Sequence, residues 1–455
     1  MNKIIIIGAN AAGLSAAVNA RKENPGSKIT IISKELYNPY RRPAIPSIIT
    51  GEITDLIDAY IFTPDYLKNL NIEFLPKTEV IELDLKSKSV KIREIGSNMI
   101  NKLEYDSLVL CMGGYSRIPK LKGVDKKGVC TFNTYDDTLE IIKIAKPGLT
   151  AVVVGAGFVG LEIAESLMKK GLKVYFNVRS RILRRLLEPD FSDYLNECFE
   201  QKGLKMLTGE SISEIGGNEK VEYVVIKGEK IETSLVVFGT GVEPNVTIAK
   251  NAGIELGLTG AIKVNTKMQT SDQNVYAAGD CAESPDLLTQ QYTYSPVGSI
   301  AALAGAIAGT NAAGGNKETK GFIRAQIDKI LGKEIISIGH SSTTAKEVNL
   351  DIKIYDLSEW IKDKRNSTLS EKYPVKLKII TDSMDKIVGA QVITQKYGSQ
   401  YSYELLKSIL NHKPFDEFIN KWKPPLEKFM NYVGDKQKIL SNRQNADKIG
   451  IVKWE

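Results

Sequence analysis

The chain has 455 residues, 42% of them hydrophobic and 25% charged, and carries a formal net charge of +7. Its size points to about three domains of ordinary size, and its composition excludes disordered and fibrous chains. No Lys/Arg run is long enough for a nucleic-acid tail, no apolar run reaches membrane-spanning length, and scattered cysteines with two histidines leave no Cys/His metal cluster.

Met1 to Ala20 places Lys3 ahead of an apolar run, as a signal peptide does, but its glycines argue against that reading. Ile4-Ile5-Ile6-Ile7 is a β-branched strand. Gly8-Ala9-Asn10-Ala11-Ala12-Gly13 and a helix over Leu14 to Ala20 follow, the order of a dinucleotide-binding unit. The middle glycine of that pattern is missing. Asn10 brings a Cβ to the point where backbone should approach a phosphate, although Asn tolerates unusual backbone angles better than most residues. The next strand, Ile29 to Ile32, ends in Ser33-Lys34-Glu35, where an acidic side chain is expected to hold an adenosine ribose. Glu35 is the candidate and Ser33 the alternative.

A fuller copy of the device begins at Thr150. Ala151-Val152-Val153-Val154 reads as a strand, Gly155-Ala156-Gly157-Phe158-Val159-Gly160 as the glycine turn, Leu161 to Lys170 as a helix and Lys173 to Val178 as the second strand. Gly155 permits the tight turn, Gly157 lets backbone approach a pyrophosphate, Gly160 lets helix and strand lie close, and the helix N-terminus offers free N–H groups. An acid at the end of the second strand would select NAD. Val178 stands there, followed by Arg179, Arg181, Arg184 and Arg185, which would instead suit a 2′-phosphate, with Arg179 and Arg184 the chosen contacts. Some of these arginines belong equally well to a solvated helix face.

Two fingerprints imply two dinucleotides, and redox chemistry is a reason to bring them together. Three further stretches decide which: Leu108-Val109-Leu110-Cys111-Met112-Gly113-Gly114, Phe238-Gly239-Thr240-Gly241-Val242-Glu243-Pro244-Asn245, and Ala261 to Ala282 with Ala278-Gly279-Asp280-Cys281. With these residues the chain resembles the FAD-dependent pyridine nucleotide–disulfide oxidoreductase superfamily over nearly its whole length. The implied fold is α/β, with two Rossmann-like domains, FAD-binding over 1–113 and 239–320 and NAD(P)H-binding over 114–238. A C-terminal α+β dimerisation domain over 324–455 completes a homodimer, after the polar Gly314 to Lys320 boundary. Lys376 to Ile380 and Ile387 to Val392 read as its strands and Tyr403 to Leu410 as a helix.

The resemblance also assigns roles. Asp280 would hydrogen-bond the FAD ribityl chain, and the helix beginning near Gly298-Ser299 would aim its positive end at the flavin pyrimidine ring. FAD contacts are further implied at Lys34, Val80, Cys111, Gly113, Gly241 and Gly279. Phe158 and Glu162 would gate the nicotinamide pocket, although Glu162 also suits any helix N-terminus. Tyr40-Arg41-Arg42-Pro43-Ala44-Ile45-Pro46-Ser47 resembles the loop that lies along FAD in rubredoxin and ferredoxin reductases, which puts Arg42 and Pro43 beside the cofactor. Trp422-Lys423-Pro424-Pro425-Leu426 stands where relatives carry a YxPPF stretch, with Trp422 replacing its tyrosine.

The branch follows from what is absent. Coenzyme A disulfide reductases and NADH oxidases of this branch carry a redox cysteine in the loop from Leu36 to Ser47, and this loop has none. The CxxxxC and CxxC pairs of other branches are missing, and Ala11 replaces the histidine of the peroxidases. Cys111, Cys130, Cys198 and Cys281 read as packing residues in a reducing cytoplasm. The expectation is an FAD enzyme that takes hydride from NADPH or NADH and serves a non-disulfide acceptor: an acidic redox protein such as ferredoxin or rubredoxin, a quinone, or dioxygen. The alternatives are a disulfide or sulfur reductase with an atypical cysteine, and a flavin-binding protein with little turnover.

Overall fold

Ile4 to Ile7 are almost removed from solvent within the strand Lys3–Ile7, the run expected of a parallel strand covered on both faces. In the computed structural model, which describes residues 2–97, 99–359, 361 and 373–422, this strand centres a five-stranded sheet. Its order is Val275–Ala277, Ser107–Leu110, Lys3–Ile7, Lys28–Ile32, Ile72–Leu75, with every neighbouring pair parallel. The chain leaves Lys3–Ile7 on one side and returns on the other, which opens a crevice at the strands' C-terminal ends.

The second sheet repeats that plan around Thr150–Val154, in the order Lys205–Thr208, Lys173–Val178, Thr150–Val154, Leu235–Phe238, Val129–Thr131, again all parallel. The two chain crossings between the sheets, Gly114–Ser116 and Val242–Pro244, pair with each other as an antiparallel ribbon. Both belong to one compact unit, which reaches Arg324 and takes in Lys346–Val348. Both layers expected to bind dinucleotides are therefore Rossmann-like α/β folds.

Two helices lock the first sheet. Ala11–Glu23 crosses Gly298–Ala312 so closely that a Cβ on Gly305 would lie 2.2 Å from the Ala12 carbonyl oxygen, and one on Gly309 2.0 Å from that of Ala16. The first of these helices begins at Ala11 rather than Leu14, and the corresponding helix of the second sheet at Phe158 rather than Leu161. Helical patterning is visible only after one turn, because the first turn faces the crevice. The apolar run Ser299 to Ala308 lies inside the helix Gly298–Ala312, and no helix among the described residues is long and apolar enough to cross a membrane.

The second unit, Ala325–Ala345 and the chain from Asn349, holds a five-stranded antiparallel sheet. Its order is Ala325–Ile330, Lys333–Gly339, Ile387–Thr394, Lys376–Asp382, Ile352–Asp356. The helix expected from Tyr403 starts at Gly398, whose N–H donates to the Glu334 carboxylate at 2.6 Å. Trp422 stacks on Phe418 with ring centroids 4.9 Å apart; Lys423 to Leu426 lie outside the described residues.

Candidate active site

The two glycine turns align residue for residue in sequence: Gly8 with Gly155, Asn10 with Gly157, Ala11 with Phe158, Gly13 with Gly160. Gly8 and Gly155 have φ of +109° and +152°, and a Cβ on either would strike the neighbouring strand end, the Cys111 oxygen at 2.0 Å or the Gly239 oxygen at 2.2 Å. These glycines are required by the fold. Gly13 is equally required, with the Gly8 oxygen 1.8 Å from its missing Cβ. Gly157 is different. Its φ of −95° suits any residue, and a Cβ there would meet nothing within 4 Å. Gly298 likewise faces open space. Nothing among the described residues accounts for glycine at these two points, and the absence of a Cβ leaves both backbones open to close approach by a ligand.

Asn10 needs no unusual backbone. Its φ of −105° and ψ of −160° match the extended geometry of Gly157, and its side chain accepts the Ala11 N–H at 2.8 Å. The residue caps the helix with no strain, so the tolerance of unusual angles that Asn offers is not drawn on. None of the helices Ala11–Glu23, Phe158–Lys169 and Gly298–Ala312 has an acidic residue in its first turn, whereas Tyr135–Ile144 and Pro189–Glu200 do. An acidic first turn would neutralise the positive helix end. Its absence keeps that field for an anion.

The turn carrying Asp280 packs against the first turns of Ala11–Glu23 and Gly298–Ala312, with the Cβ position of Gly279 (φ +80°) 3.0 Å from the Ala12 Cβ and 3.5 Å from that of Ala301. Asp280 is half-buried and makes no side-chain hydrogen bond among the described residues. Burial pushes its carboxyl up, opposed by the nearby Arg42 guanidinium. Arg42, in the short turn Arg42–Ala44 that also holds Pro43, donates to Glu35 Oε1 at 2.7 Å and to Asn133 Oδ1 at 3.1 Å. It also donates to the Asn133 carbonyl. Tyr40 donates to Glu35 Oε2 at 2.6 Å and accepts the Tyr135 N–H at 2.9 Å. Arg42 thus pairs with the Glu35 carboxylate and is near enough to Asp280 for its charge to be felt there.

Other sequence-chosen residues fall around these groups. Ser33 is buried and accepts the Glu35 N–H, and Lys34 turns outward to Glu79 at 2.8 Å. Val80 is a core residue at the bulge in Thr78–Asp84. Gly113, with φ of +65° and open space at its Cβ position, has its carbonyl held by the Asn245 N–H at 3.0 Å. Gly241 has φ of +94°, and Ser299 is exposed beside Gly298. Tyr40 and Asn133 escaped sequence reading, as did Tyr294. The Tyr294 hydroxyl is buried without a hydrogen-bond partner among the described residues, in a field that includes Asp280. Tyr40 alone had a signal, its place in the arginine-containing loop.

The helix that follows the second turn packs on the helix Ile45–Thr50 of that loop. Ser166 Oγ lies 3.3 Å from the Pro46 oxygen and Lys170 Nζ 3.3 Å from the Ile49 oxygen, which ties Phe158–Lys169 to it. Phe158 is buried, Val159 exposed and Glu162 half-buried. The arginines divide. Arg181 donates to the Leu187 carbonyl and to Ser192 Oγ at 2.6 and 2.9 Å, and Arg185 pairs with Glu347 at 2.7 Å. The Arg179 and Arg184 side chains are exposed and make no hydrogen bond or ion pair among the described residues. Leu183, at φ +50°, donates its N–H to the Ala156 oxygen at 2.6 Å, which fixes the arginine segment against the glycine turn.

All four cysteines are free. Cys111 and Cys281 are buried. Desolvation raises the Cys111 thiol well above its ordinary value and pushes that of Cys281 up to about 12, despite backbone N–H groups near the latter. The Cys130 thiol is pushed up to about 11, again chiefly by burial.

The family model described as pyridine nucleotide-disulphide oxidoreductase matches residues 2–294. An NADH oxidase of Methanocaldococcus jannaschii is 36% identical over 399 residues, 86% of this chain and 87% of that protein. The solved NAD-dependent persulfide reductase of A. fulgidus covers 97% of this chain and 84% of its own at TM-score 0.86 and 28% identity. An engineered water-forming NADPH oxidase bound to NADPH shares the fold at TM-score 0.86 and 21% identity, over 97% of this chain and all of its own.

Proposed function

The chain belongs to the pyridine nucleotide-disulphide oxidoreductase family and is an FAD-dependent NAD(P)H oxidoreductase, and from that premise we propose that its electrons go to a non-disulfide acceptor. Such an acceptor is a small redox protein, a quinone or dioxygen. The observation that carries this reading is the state of the thiols. A disulfide-type mechanism needs a thiolate within reach of the cofactor. The loop from Leu36 to Ser47 has no cysteine, and burial holds Cys111 and Cys281 in the thiol form.

Bound flavin supplies the acceptance of hydride from NAD(P)H and the onward release of electrons. The chain's residues bind and orient. In this reading Asp280 accepts a hydrogen bond from the ribityl chain, and the unused acceptor capacity of Glu35 takes a ribose hydroxyl. Arg42 offsets phosphate charge. The first turns of Ala11–Glu23 and Phe158–Lys169 offer N–H groups to the two pyrophosphates, and Gly298–Ala312 directs its positive end at the flavin ring. Phe158 moves from its buried position to admit nicotinamide, and Glu162, one turn on, meets the carboxamide. Dimerisation through residues 324–455 and a cytoplasmic location complete the proposal.

NADPH is the favoured donor. The engineered NADPH oxidase lost an aspartate, gained Arg-Ser immediately after it and gained a further arginine five residues past that serine. Val178, Arg179, Ser180 and Arg185 have the same spacing.

Replacing all four cysteines by serine tests the acceptor reading. Stopped-flow bleaching by NADPH and steady-state reduction of an artificial dye are both expected to persist. The persulfide reductase among the relatives motivates the rival mechanism. A single Cys→Ser change that abolishes turnover while bleaching continues would establish it. Bound FAD that NAD(P)H never bleaches would point to a flavin-binding protein with little turnover.

A further inference from the structure

Arg324 and Glu347 both reach Arg185, the last arginine of the segment from Arg179. Arg185 lies two residues beyond Leu183, whose N–H is fixed on Ala156 between Gly155 and Gly157. Its Nη2 stands 2.7 Å from Glu347 Oε2, and its carbonyl accepts Arg324 Nη2 at 2.8 Å. Desolvation holds the Arg324 guanidinium down to about 10, Arg185 adds to that depression, and Glu347 works against it. Glu347 is a counter-ion shared by both arginines. Its pair with Arg185 is open to water, with side chains 53% and 42% exposed, so a stronger anion can compete for the same guanidinium.

We propose that Glu347 tunes the choice between NADPH and NADH by holding Arg185 in an ion pair with which a 2′-phosphate must compete. The inference rests on the reading that the arginines from Arg179 to Arg185 face the adenosine end of the nucleotide. A phosphate docking on Arg185 meets the carboxylate of Glu347 as a like charge at short range. Arg185 has donors enough for two anions, and in that case Glu347 would orient the guanidinium and help NADPH. Charge and orientation predict opposite signs for one substitution. Glu347→Gln keeps a hydrogen-bond acceptor for Arg185 and removes the negative charge, leaving two arginines with less neutralisation.

The measurement is calorimetric binding of 2′,5′-ADP and 5′-AMP to FAD-loaded protein, wild type and variants, at low salt. Glu347→Gln is expected to tighten 2′,5′-ADP roughly two- to fivefold, the range of an exposed ion pair, and to leave 5′-AMP unchanged. Arg185→Gln is expected to weaken 2′,5′-ADP and spare 5′-AMP. If Arg185→Gln behaves so but Glu347→Gln leaves 2′,5′-ADP unchanged, weakens it, or tightens both ligands alike, the competition is overturned while the arginine reading stands. If Arg179→Glu and Arg185→Gln both leave 2′,5′-ADP binding as in the wild type, the NADPH reading itself fails, and this inference with it.

Discussion

Cys281 is a residue whose chemistry is set by where the chain puts it. The thiol lies beneath the Asp280 turn, fully buried, 3.3 Å from the Leu110 oxygen and 3.5 Å from that of Ala278. Cys111 follows Leu110 and is similarly enclosed. With the folded values raised to about 12 for Cys281 and well above the ordinary 9.0 for Cys111, both groups keep their protons where an unfolded chain gives them up. The native state then binds more protons than the unfolded one, so stability must fall as pH rises. The loss begins near pH 9 and continues toward 12, with a limiting slope of about 1.4 kcal/mol per pH unit for each thiol. Urea midpoints measured from pH 7 to 10 on wild type and on Cys111→Ala with Cys281→Ala should show it. The double variant is expected to lose less stability over the alkaline interval, and equal slopes would mean that the thiols ionise in the fold. A thiol-exchange reagent at pH 8 should accordingly reach Cys111 and Cys281 only after unfolding.

At the level of elements, two kinds of glycine separate fold from site. Gly305 lies where Gly298–Ala312 crosses Ala11–Glu23, and its Cβ would stand 2.2 Å from backbone oxygen, so Gly305→Ala should cost about 1–3 kcal/mol. A lowered urea midpoint at unchanged m would register it. Gly298 faces open space at the start of the same helix, so Gly298→Ala should keep stability and weaken FAD retention on dialysis. Loss of stability in the second variant and not the first would refute this division. The sequence made much of this legible. Strand, glycine turn and helix are local in the chain, and Ile4 to Ile7 and Ala151 to Val154 announce buried parallel strands by composition alone. Asp280 was readable from its motif. The pairing of Arg42 with Glu35 and Asn133 was not, because it depends on the path by which the loop folds back over the end of Lys28–Ile32. Nor does Asn10 announce in the sequence whether its backbone is strained; only the extended φ shows that it is a cap. The division of the arginines was hidden for the same reason: Glu347 and Ser192 reach Arg185 and Arg181 through tertiary contact.

For the molecule as a whole, the formal charge of +7 is a long-range property, and it bears on the acceptor rather than on the fold. A dye or dioxygen meets the cofactor by diffusion and gains nothing from that field, whereas an acidic redox protein is steered by it over distances comparable to the Debye length, about 8 Å at physiological ionic strength. Raising the salt should therefore slow electron delivery to an acidic ferredoxin or rubredoxin while a neutral dye is reduced at nearly the same rate. NADPH is itself an anion, so the comparison belongs at saturating NADPH, where its own electrostatic capture no longer limits the rate. Initial rates with each acceptor across an ionic-strength series make the measurement. A falling protein-acceptor rate beside a level dye rate supports a partner docked by charge. Equal falls in both would trace the salt effect to the nicotinamide step, and level rates in both would show that the basic surface plays no part in delivering electrons, leaving quinone or dioxygen as the acceptor that fits this chain.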